Sequence, residues 1–313
     1  MTARHVLAID IGGTKLAAGV VAEDGRQLSR GRVPTDVAKG PESAVERLVA
    51  LCRDVIAQAG VPISLIGIGC GGPLDPVRGV TLTPPSLPGW EEFPLVARVQ
   101  DALGVKAWLD NDANAAALGE HRFGAGRGYQ HLVYFTVSTG VGGGVILDGR
   151  LYPGSTGNAA ELGHIQVSYD GWPCPCGGQG CVEAFASGTY IAARARVTAS
   201  PRLIALAGSR DAITTEHVVA AVRAGDVEAK KVWDDSVRVL AAGVASAINA
   251  FNPQRVIVGG GVTSAGPLLF EPLSRLALGR TMKSLAVGVD VVPAELGDQV
   301  GVMGAAAVAL SHL

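Results

Sequence analysis

The chain has 313 residues, of which 48% are hydrophobic and 17% charged, so it can bury two lobes of ordinary size and is not a disordered polypeptide. Its formal net charge of -2 excludes a broad basic surface, and we do not expect nucleic acid as a main partner. The apolar run before Asp10 is too short for a signal-peptide core, so we expect no signal peptide, and no window has the roughly 18 apolar residues of a membrane span. We therefore expect a cytoplasmic protein with a small-molecule ligand.

The first third of the chain predicts an α/β lobe. Residues 5–9 and 16–21 have strand patterns on either side of a Gly-Gly-Thr turn, which predicts a β-hairpin. Apolar residues at helical spacing predict a helix over 41–59, and residues 64–70 predict a buried strand. The Pro/Gly-rich residues 71–94 predict a long irregular loop of the kind that carries function.

A second strand, glycine-rich turn and strand follow later in the chain. Residues 105–109 predict a strand, and a helix pattern begins at 113–119. Residues 131–137 and 145–147 then predict another hairpin around the Ser/Thr/Gly turn at 138–144. Repetition of one pattern indicates two related lobes that each offer a turn to a shared cleft.

The last third of the chain predicts a long helix over about 226–251, which Asn-Pro ends. A strand at 255–258 follows and enters the glycine run 259–261. Residues 301–312 are Ala-rich and helical, and we expect this helix to return to the first lobe.

Three glycine-rich turns favour nucleotide binding. Asp10 ends a strand before Gly12, Gly13, Thr14 and Lys15, so backbone N–H groups and a hydroxyl can surround phosphate while the carboxylate faces hydrated Mg²⁺. The turn at 138–144 can hold phosphate from the opposite side, and the glycines at 259–261 allow a nucleoside to approach the backbone. The structural alternatives are an ordinary hairpin turn and a tight strand-to-helix turn.

Asp110, Asn111 and Asp112 lie where a strand gives way to a helix. A carboxylate there can accept the proton of a substrate hydroxyl, and an amide can both donate and accept hydrogen bonds. The alternative role is helix capping, for which Asn and Asp are favoured, and we expect one of the three to be a cap.

The most specific pattern is His164 followed by Cys174, Cys176 and Cys181, with glycines between the last two. One imidazole and three thiolates make a closed tetrahedral site for a structural Zn²⁺. The alternative is a fortuitous cluster of reduced thiols. Glu161 and Glu183 flank the ligands, and a folded zinc loop would hold both carboxylates as acceptors for sugar hydroxyls. Cys52 and Cys70 lie in apolar patterns and are expected in the core.

The motifs DIGGTK, NDAN, STGVGGG, AELGH, CPCGGQGCVE and VGGGV occur in the order seen in the ROK family of repressors, open reading frames and sugar kinases, which the chain resembles over nearly its whole length. The resemblance implies an actin-like (ribonuclease H-like) ATPase fold with two α/β lobes. We expect the small lobe at 1–118 plus about 301–313, and the large lobe at 119–300 with a zinc loop at 164–181. It also implies a homodimer or a dimer of dimers.

The resemblance further implies ATP, Mg²⁺ and Zn²⁺ as ligands, with Asp112 as the catalytic base for a sugar hydroxyl. Substrate positions carried over from the family are Gly72, Asn111, Asp112, Glu161, His164 and Glu183. Nucleotide positions are Asp10, Gly12, Gly13, Thr14, Lys15, Ser138, Thr139, Gly140, Gly259, Gly260 and Gly261. Zinc positions are His164, Cys174, Cys176 and Cys181, and Asp10 is expected to hold Mg²⁺ through water.

Phosphorylation of a hexose at the 6-hydroxyl, with glucose as the sugar, is the predicted activity. N-acetylmannosamine, N-acetylglucosamine and fructose stay open as substrates, because glucokinase-like members often carry Asn where this chain has Ser86. A sugar-sensing regulator without catalysis is a different class, but the first phosphate turn begins at Asp10 and we expect no DNA-binding segment before it. An actin-like ATPase without a sugar substrate would not explain the zinc motif.

Overall fold

The structure is a computed structural model that describes residues 4–313; residues 1–3 of the predicted first lobe lie outside the described residues. The strands, numbered in chain order, are β1 (His5–Ile11), β2 (Lys15–Ala22), β3 (Gln27–Pro34), β4 (Leu65–Cys70), β5 (Leu74–Asp75), β6 (Val80–Thr81), β7 (Ala107–Asn111), β8 (Leu132–Val137), β9 (Val141–Leu147), β10 (Arg150–Leu151), β11 (Arg255–Gly259) and β12 (Asp290–Pro293). The α-helices are α1 (Gly40–Ala59), α2 (Leu95–Leu103), α3 (Asp112–Phe123), α4 (Glu183–Ala186), α5 (Gly188–Val197), α6 (Pro201–Ala207), α7 (Thr215–Arg223), α8 (Val227–Phe251), α9 (Pro267–Arg280) and α10 (Val300–Leu310).

The first sheet has the order β3-β2-β1-β4-β7. Strands β1 to β3 are antiparallel, which confirms the first predicted hairpin, and β1, β4 and β7 are parallel. Asp10 pairs in register with Gly69, which pairs with Asp110. Because parallel strands end at the same edge, the polar residues of β1 and β7 lie along one side of the sheet. Helix α1 has a buried apolar face over this sheet, as its 3.6-residue period predicts.

The second sheet has the order β10-β9-β8-β11-β12 and repeats the plan of the first. Strands β8 to β10 are antiparallel, and β8, β11 and β12 are parallel. Gly259 at the end of β11 pairs with Thr136 in β8. This register brings the glycine run 259–261 beside the turn that follows β8. The predicted second hairpin and the predicted strand before the glycine run are both confirmed.

Helix α10 packs on β1, β4 and α3, which confirms the expected return of the last helix to the first sheet. Its small residues allow a close approach, because a Cβ built on Gly67 of β4 would overlap the carbonyl oxygen of Ala305. A Cβ on Gly304 would lie 2.6 Å from the carbonyl oxygen of Ala115 in α3. The predicted lobe boundary at 118/119 falls inside α3, and the residue bounds of the two lobes stay a prediction. Within residues 4–313, no helix combines the length and the apolar character that crossing a membrane requires.

Candidate active site

A cavity of about 490 Å³ lies between the two sheets. Asp10, Lys15 and Asp112 line it from the side of the first sheet, and the glycines 259–261 line it from the second. Two walls of this kind leave room for a polyanion between backbone N–H groups of both lobes. The structure therefore brings together, in one cleft, residues that are far apart in the sequence.

The first turn of the cleft is a tight hairpin. The N–H of Gly12 donates to the carbonyl oxygen of Lys15 over 3.0 Å, so Gly13 and Thr14 form the tip. A Cβ on Gly13 would lie 2.6 Å from the carbonyl oxygen of Ser86. The loop that carries Ser86 therefore reaches over this turn, and only glycine fits beneath it.

Asp10 lies in the cleft with a perturbed carboxyl group. Burial raises the pKa of Asp10 to about 6; the ammonium of Lys15 opposes the shift, and the carboxylate of Asp112 adds to it. The charge of Asp112 therefore reaches the carboxyl group of Asp10 across the cleft. A divalent cation between them would favour the charged form of both.

The second turn is fixed by the start of α5. The N–H of Ser138 donates to the carbonyl oxygen of Gly140 over 2.8 Å, which closes the turn. The N–H of Gly188 donates to the carbonyl oxygen of Ser138 over 2.7 Å. The hydroxyl of Thr189 donates to the carbonyl oxygen of Thr139 over 2.8 Å. The phosphate turn predicted from the sequence is thus held in place by residues that the sequence analysis did not single out.

The glycine run after β11 packs tightly against β8. Gly260 has φ 91° and a Cβ there would overlap the backbone of Val137, so this position requires glycine. A Cβ on Gly259 would lie 2.5 Å from the hydroxyl oxygen of Tyr134. The run keeps the cavity wall free of side chains, as a closely approaching ligand needs.

A second cavity of about 250 Å³ adjoins the first and shares Gly261 and Ser264 with it. Its lining residues are Ser138, Thr139, Gly188, Thr189, Ala192, Arg196, Thr214, Thr215, Glu216, Val219, Gly261, Val262 and Ser264. Most of these residues were not predicted from the sequence. Ser-Gly-Thr at 187–189 and Thr-Thr-Glu at 214–216 are nevertheless helix-start signals, which place polar groups at one edge.

Asn111 is the cap of α3. It has extended backbone and its Oδ1 accepts a hydrogen bond of 2.8 Å from the N–H of Ala113, which confirms that one of the three polar residues caps the helix. The Nδ2 group of Asn111 stays available to a ligand. A Cβ built on Gly72 would lie 2.8 Å from this Nδ2, so the backbone at Gly72 borders the same space.

Asp112 is the first residue of α3, and its carboxyl group faces the space between the lobes. The side chain of Asp112 is exposed to solvent on the side of the cleft, and protein surrounds its other sides. This partial enclosure raises the pKa of Asp112, while the hydrogen bond from the N–H of Ala113 opposes the shift. Asp112 lines the large cavity and also a small pocket of about 60 Å³. Asp112 is therefore a residue that both spaces share.

The small pocket is polar. Its lining residues are Asn111, Asp112, Ala113, Asn114, Gly142, Gly143, Asn158, Ala159 and Glu161. Burial raises the pKa of Glu161, His164 opposes the shift, and the charges of Asp112 and Glu183 add to it. The predicted side chains Asp112, His164 and Glu183 are thus close enough to Glu161 to affect its charge. Asn114 and Asn158 also line the pocket and were not predicted.

Glu183 has a structural contact as well as a place near the pocket. Its Oε2 accepts a hydrogen bond of 2.9 Å from the N–H of Val141. A Cβ on Gly140 would lie 2.7 Å from the same oxygen. Glu183 therefore joins the start of α4 to the second turn, and its Oε1 is the oxygen left for a ligand.

His164, Cys174, Cys176 and Cys181 form a cluster whose ligand atoms all lie within 4.8 Å of one another. The Nδ1 of His164 is 3.5 Å from the Sγ of Cys174, and the Sγ atoms of Cys176 and Cys181 are 3.7 Å apart. Two sulfur atoms on a tetrahedral zinc at about 2.3 Å lie about 3.8 Å from each other, so these residues fit a zinc ion.

Two sheets of the same plan, a shared cleft and a glycine turn from each sheet define the actin-like ATPase fold. The chain belongs to the ROK family, whose pattern it matches over residues 6–312.

Individual relatives span almost the whole chain. The chain is 38% identical to the glucokinase of Thermotoga maritima, over 97% of this chain and 96% of that protein. It is 36% identical to the N-acetylmannosamine kinase of Citrobacter koseri, over 97% of this chain and 98% of that protein. The crystal structure of a ROK family glucokinase from Streptomyces griseus in complex with glucose and AMPPNP superposes with a TM-score of 0.81 at 38% identity, and the match covers 98% of this chain and 99% of that one.

Proposed function

We infer that this chain transfers the γ-phosphoryl group of ATP to the 6-hydroxyl of a hexose, with glucose as the preferred sugar. The observation that carries this function is the position of Asp112, between a large cavity with phosphate-type turns on both sides and a small polar pocket. The glucokinases among the relatives, at 38% identity over nearly full length, support glucose.

The two larger cavities are suited to the parts of ATP. The cavity at Thr139, Thr189 and Thr215 takes the nucleoside, and the phosphates run past Gly261 into the space between the two turns. Backbone N–H groups near Gly12 and Gly140 contact phosphate oxygens there. Asp10 holds Mg²⁺ through water, and this ion would neutralise charge on the phosphates.

Asp112 accepts the proton of the sugar hydroxyl and orients its oxygen for in-line attack. Burial has already raised the pKa of Asp112 above that of a free carboxyl group, which makes the carboxylate a stronger base at neutral pH. Closure of the cleft would exclude water from the phosphoryl group. Because phosphoryl transfer depends on positioning and charge more than on covalent chemistry, one aspartate is sufficient as the base.

The sugar lies on Asn111, Glu161, His164 and Glu183, beside the backbone of Gly72. These residues supply one amide donor, two carboxylates and one imidazole, a set that matches several neutral hydroxyls. The carboxylate of Glu183 is already oriented by the N–H of Val141. A sugar is therefore met by groups that need little reorganisation on binding.

We propose that His164, Cys174, Cys176 and Cys181 hold a structural zinc ion. When bound, the ion cross-links the loop 164–181, which leaves no ligand position open for catalysis. The folded loop 164–181 would then keep His164 and Glu183 in a fixed orientation toward the sugar. A homodimer or a dimer of dimers, which the family resemblance implies, and a cytoplasmic location, which we expect from the sequence, stay predictions.

A coupled ADP-release assay with glucose, mannose, fructose, N-acetylglucosamine and N-acetylmannosamine tests the proposed function. We expect the highest kcat/KM with glucose. N-acetylmannosamine is the second candidate, because a relative of that activity is 36% identical over almost the whole chain. ADP release that no sugar stimulates would contradict a sugar kinase and favour a regulator or an ATPase without a sugar substrate.

A further inference from the structure

The small pocket beside Asp112 contains a polar side chain that lacks a partner. Asn114, the third residue of α3, is 2% exposed. Its Oδ1 has no hydrogen-bond partner anywhere in residues 4–313. Buried side-chain oxygens are rarely left unpaired, because each one loses its bonds to water on folding. A donor from outside the described chain is therefore expected at this oxygen.

The orientation of the Asn114 amide is fixed by Asp110. The Nδ2 of Asn114 donates to the Oδ1 of Asp110 over 2.8 Å. A carboxylate only accepts hydrogen bonds, so the amide nitrogen must face Asp110 and the amide oxygen must face the other way. Asn114 lines the small pocket whereas Asp110 does not. The amide oxygen, which faces away from Asp110, is therefore taken as the end of the side chain nearer to the pocket.

The chemistry of the pocket selects a hydrogen-bond donor. Asp112 and Glu161 contribute carboxylates to its wall, and the Nδ2 of Asn158 is occupied by the carbonyl oxygen of Thr156 at 3.1 Å. The two carboxylates disfavour an anion, while the Nδ2 of Asn111 is still a free donor on the same wall. A neutral hydroxyl, which both donates and accepts hydrogen bonds, matches this mixture. The volume of about 60 Å³ is roughly twice that of a water molecule in the liquid, which suits a hydroxyl group.

We propose that Asn114 is a specificity-determining residue whose Oδ1 accepts a hydrogen bond from one ring hydroxyl of the sugar, and that Asp110 is the positioning residue that orients it. The assignment rests on the proposed function, since it needs a sugar beside Asp112. It adds to the family-derived substrate positions a contact inside α3, two residues after the proposed base Asp112.

The test is a thermodynamic cycle that measures kcat/KM of the wild type and of Asn114→Ala with glucose and with deoxy analogues. Each analogue lacks one hydroxyl at carbons 1 to 4. For the wild-type enzyme, removal of the recognised hydroxyl should lower kcat/KM by about 10- to 100-fold, and Asn114→Ala should lower kcat/KM for glucose by a similar factor. In the variant, the same analogue should then cause almost no further loss, because both changes remove one contact.

Asn249→Ala is the matched control, because its Oδ1 accepts from the backbone N–H of Met282, outside the lining of the cavities described above. We expect this variant to respond to the analogues as the wild type does. If Asn114→Ala does not fold, Asp110→Asn replaces it: an amide partner allows Asn114 either orientation, so sensitivity to the same analogue should fall.

The proposal would be overturned if Asn114→Ala lowered kcat/KM by the same factor for glucose and for every analogue. The amide would then bind a resident water or act on stability alone. That result leaves the kinase activity of the wild type with glucose intact. Absence of activity with every sugar would contradict the proposed function itself, so the two failures are distinguishable.

Discussion

The carboxylate of Asp10 lies directly against the backbone of Gly301, the second residue of α10. A Cβ at position 301 would overlap this carboxylate, so the contact requires glycine at the second position of the helix. The N-terminus of a helix carries partial positive charge, which favours an anionic side chain beside it. The N-terminus of α10 thus supports Asp10, the proposed Mg²⁺-binding residue, at the wall of the cleft.

Gly301→Ala should therefore damage catalysis without unfolding the protein. Asp10 is a flexible side chain and can rotate away from the new methyl group, while alanine favours the helix by up to about 1 kcal/mol. We expect kcat/KM to fall by about 100-fold, as for a small misplacement of a catalytic group, with sugar affinity and Tm nearly unchanged. Gly279→Ala is the control, since a Cβ there meets nothing within 4 Å. Equal activity of the two variants would contradict the role of Asp10.

A buried carboxylate at Glu120 joins α3 to the segment before α10. Glu120 is fully buried and accepts hydrogen bonds from the N–H groups of Ala125 at 2.8 Å, Glu295 at 3.1 Å and Leu296 at 2.9 Å. Glu120→Gln turns an NH₂ group toward at least one of these donors. We expect it to lower the free energy of unfolding by about 3 kcal/mol in urea denaturation.

Glu228→Gln is the control for that measurement. Its ion pair with Lys231 is exposed, and exposed pairs contribute about 1 kcal/mol or less. A change at Glu120 no larger than the change at Glu228 would show that the three backbone contacts add little stability.

Asp110 predicts a pH dependence of stability. Burial raises its pKa from 3.8 to about 6, against the opposing hydrogen bonds from Asn114 and Asn111. The carboxyl group of Asp110 thus binds its proton more tightly in the folded state than in the unfolded state. Protonation of Asp110 therefore stabilises the fold fully below the pKa of the unfolded state, and this stabilisation is lost as the pH rises to about 6. Relative to Asp110→Asn, the wild type should lose up to about 3 kcal/mol between pH 4 and pH 7 in urea denaturation. A constant difference between the two proteins would contradict the raised pKa.

Removal of zinc should weaken sugar binding more than nucleotide binding. A strong chelator, or Cys176→Ser, opens the loop 164–181, and this loop carries His164 and leads into Glu183. We expect one zinc per chain in the purified protein, and a weaker affinity for glucose after chelation with ATP affinity largely kept. Folded protein without zinc that binds glucose normally would show that the four residues are only a cluster of thiols and an imidazole.

Local patterns in the sequence predicted much of the fold. Both hairpins, α1, α8 and α10 follow from apolar periodicity and turn residues, which act over a few neighbouring positions. Strand β3 was missed because it is an edge strand with Arg30 and Arg32 among few buried side chains. Helices α5 to α7 were missed as well, and with them the wall of the second cavity.

Parts of the site were predictable for the same reason. The cluster of His164, Cys174, Cys176 and Cys181 lies within 18 consecutive residues of the chain, so its spacing was informative. The partners of Glu120 are backbone groups at 125, 295 and 296, and no side-chain pattern marks them. Asn114 is one polar residue in an Ala-rich helix, and its unpaired oxygen becomes evident only when its neighbours in space are known.

The most direct test of the central claim is the turnover of Asp112→Asn with ATP and glucose, measured beside glucose affinity in the same preparation. An amide keeps the size of the side chain but cannot accept the hydroxyl proton, so kcat should fall by about 10³-fold or more while glucose affinity changes little. Turnover close to that of the wild type would contradict the role of Asp112 as the base between the two cavities.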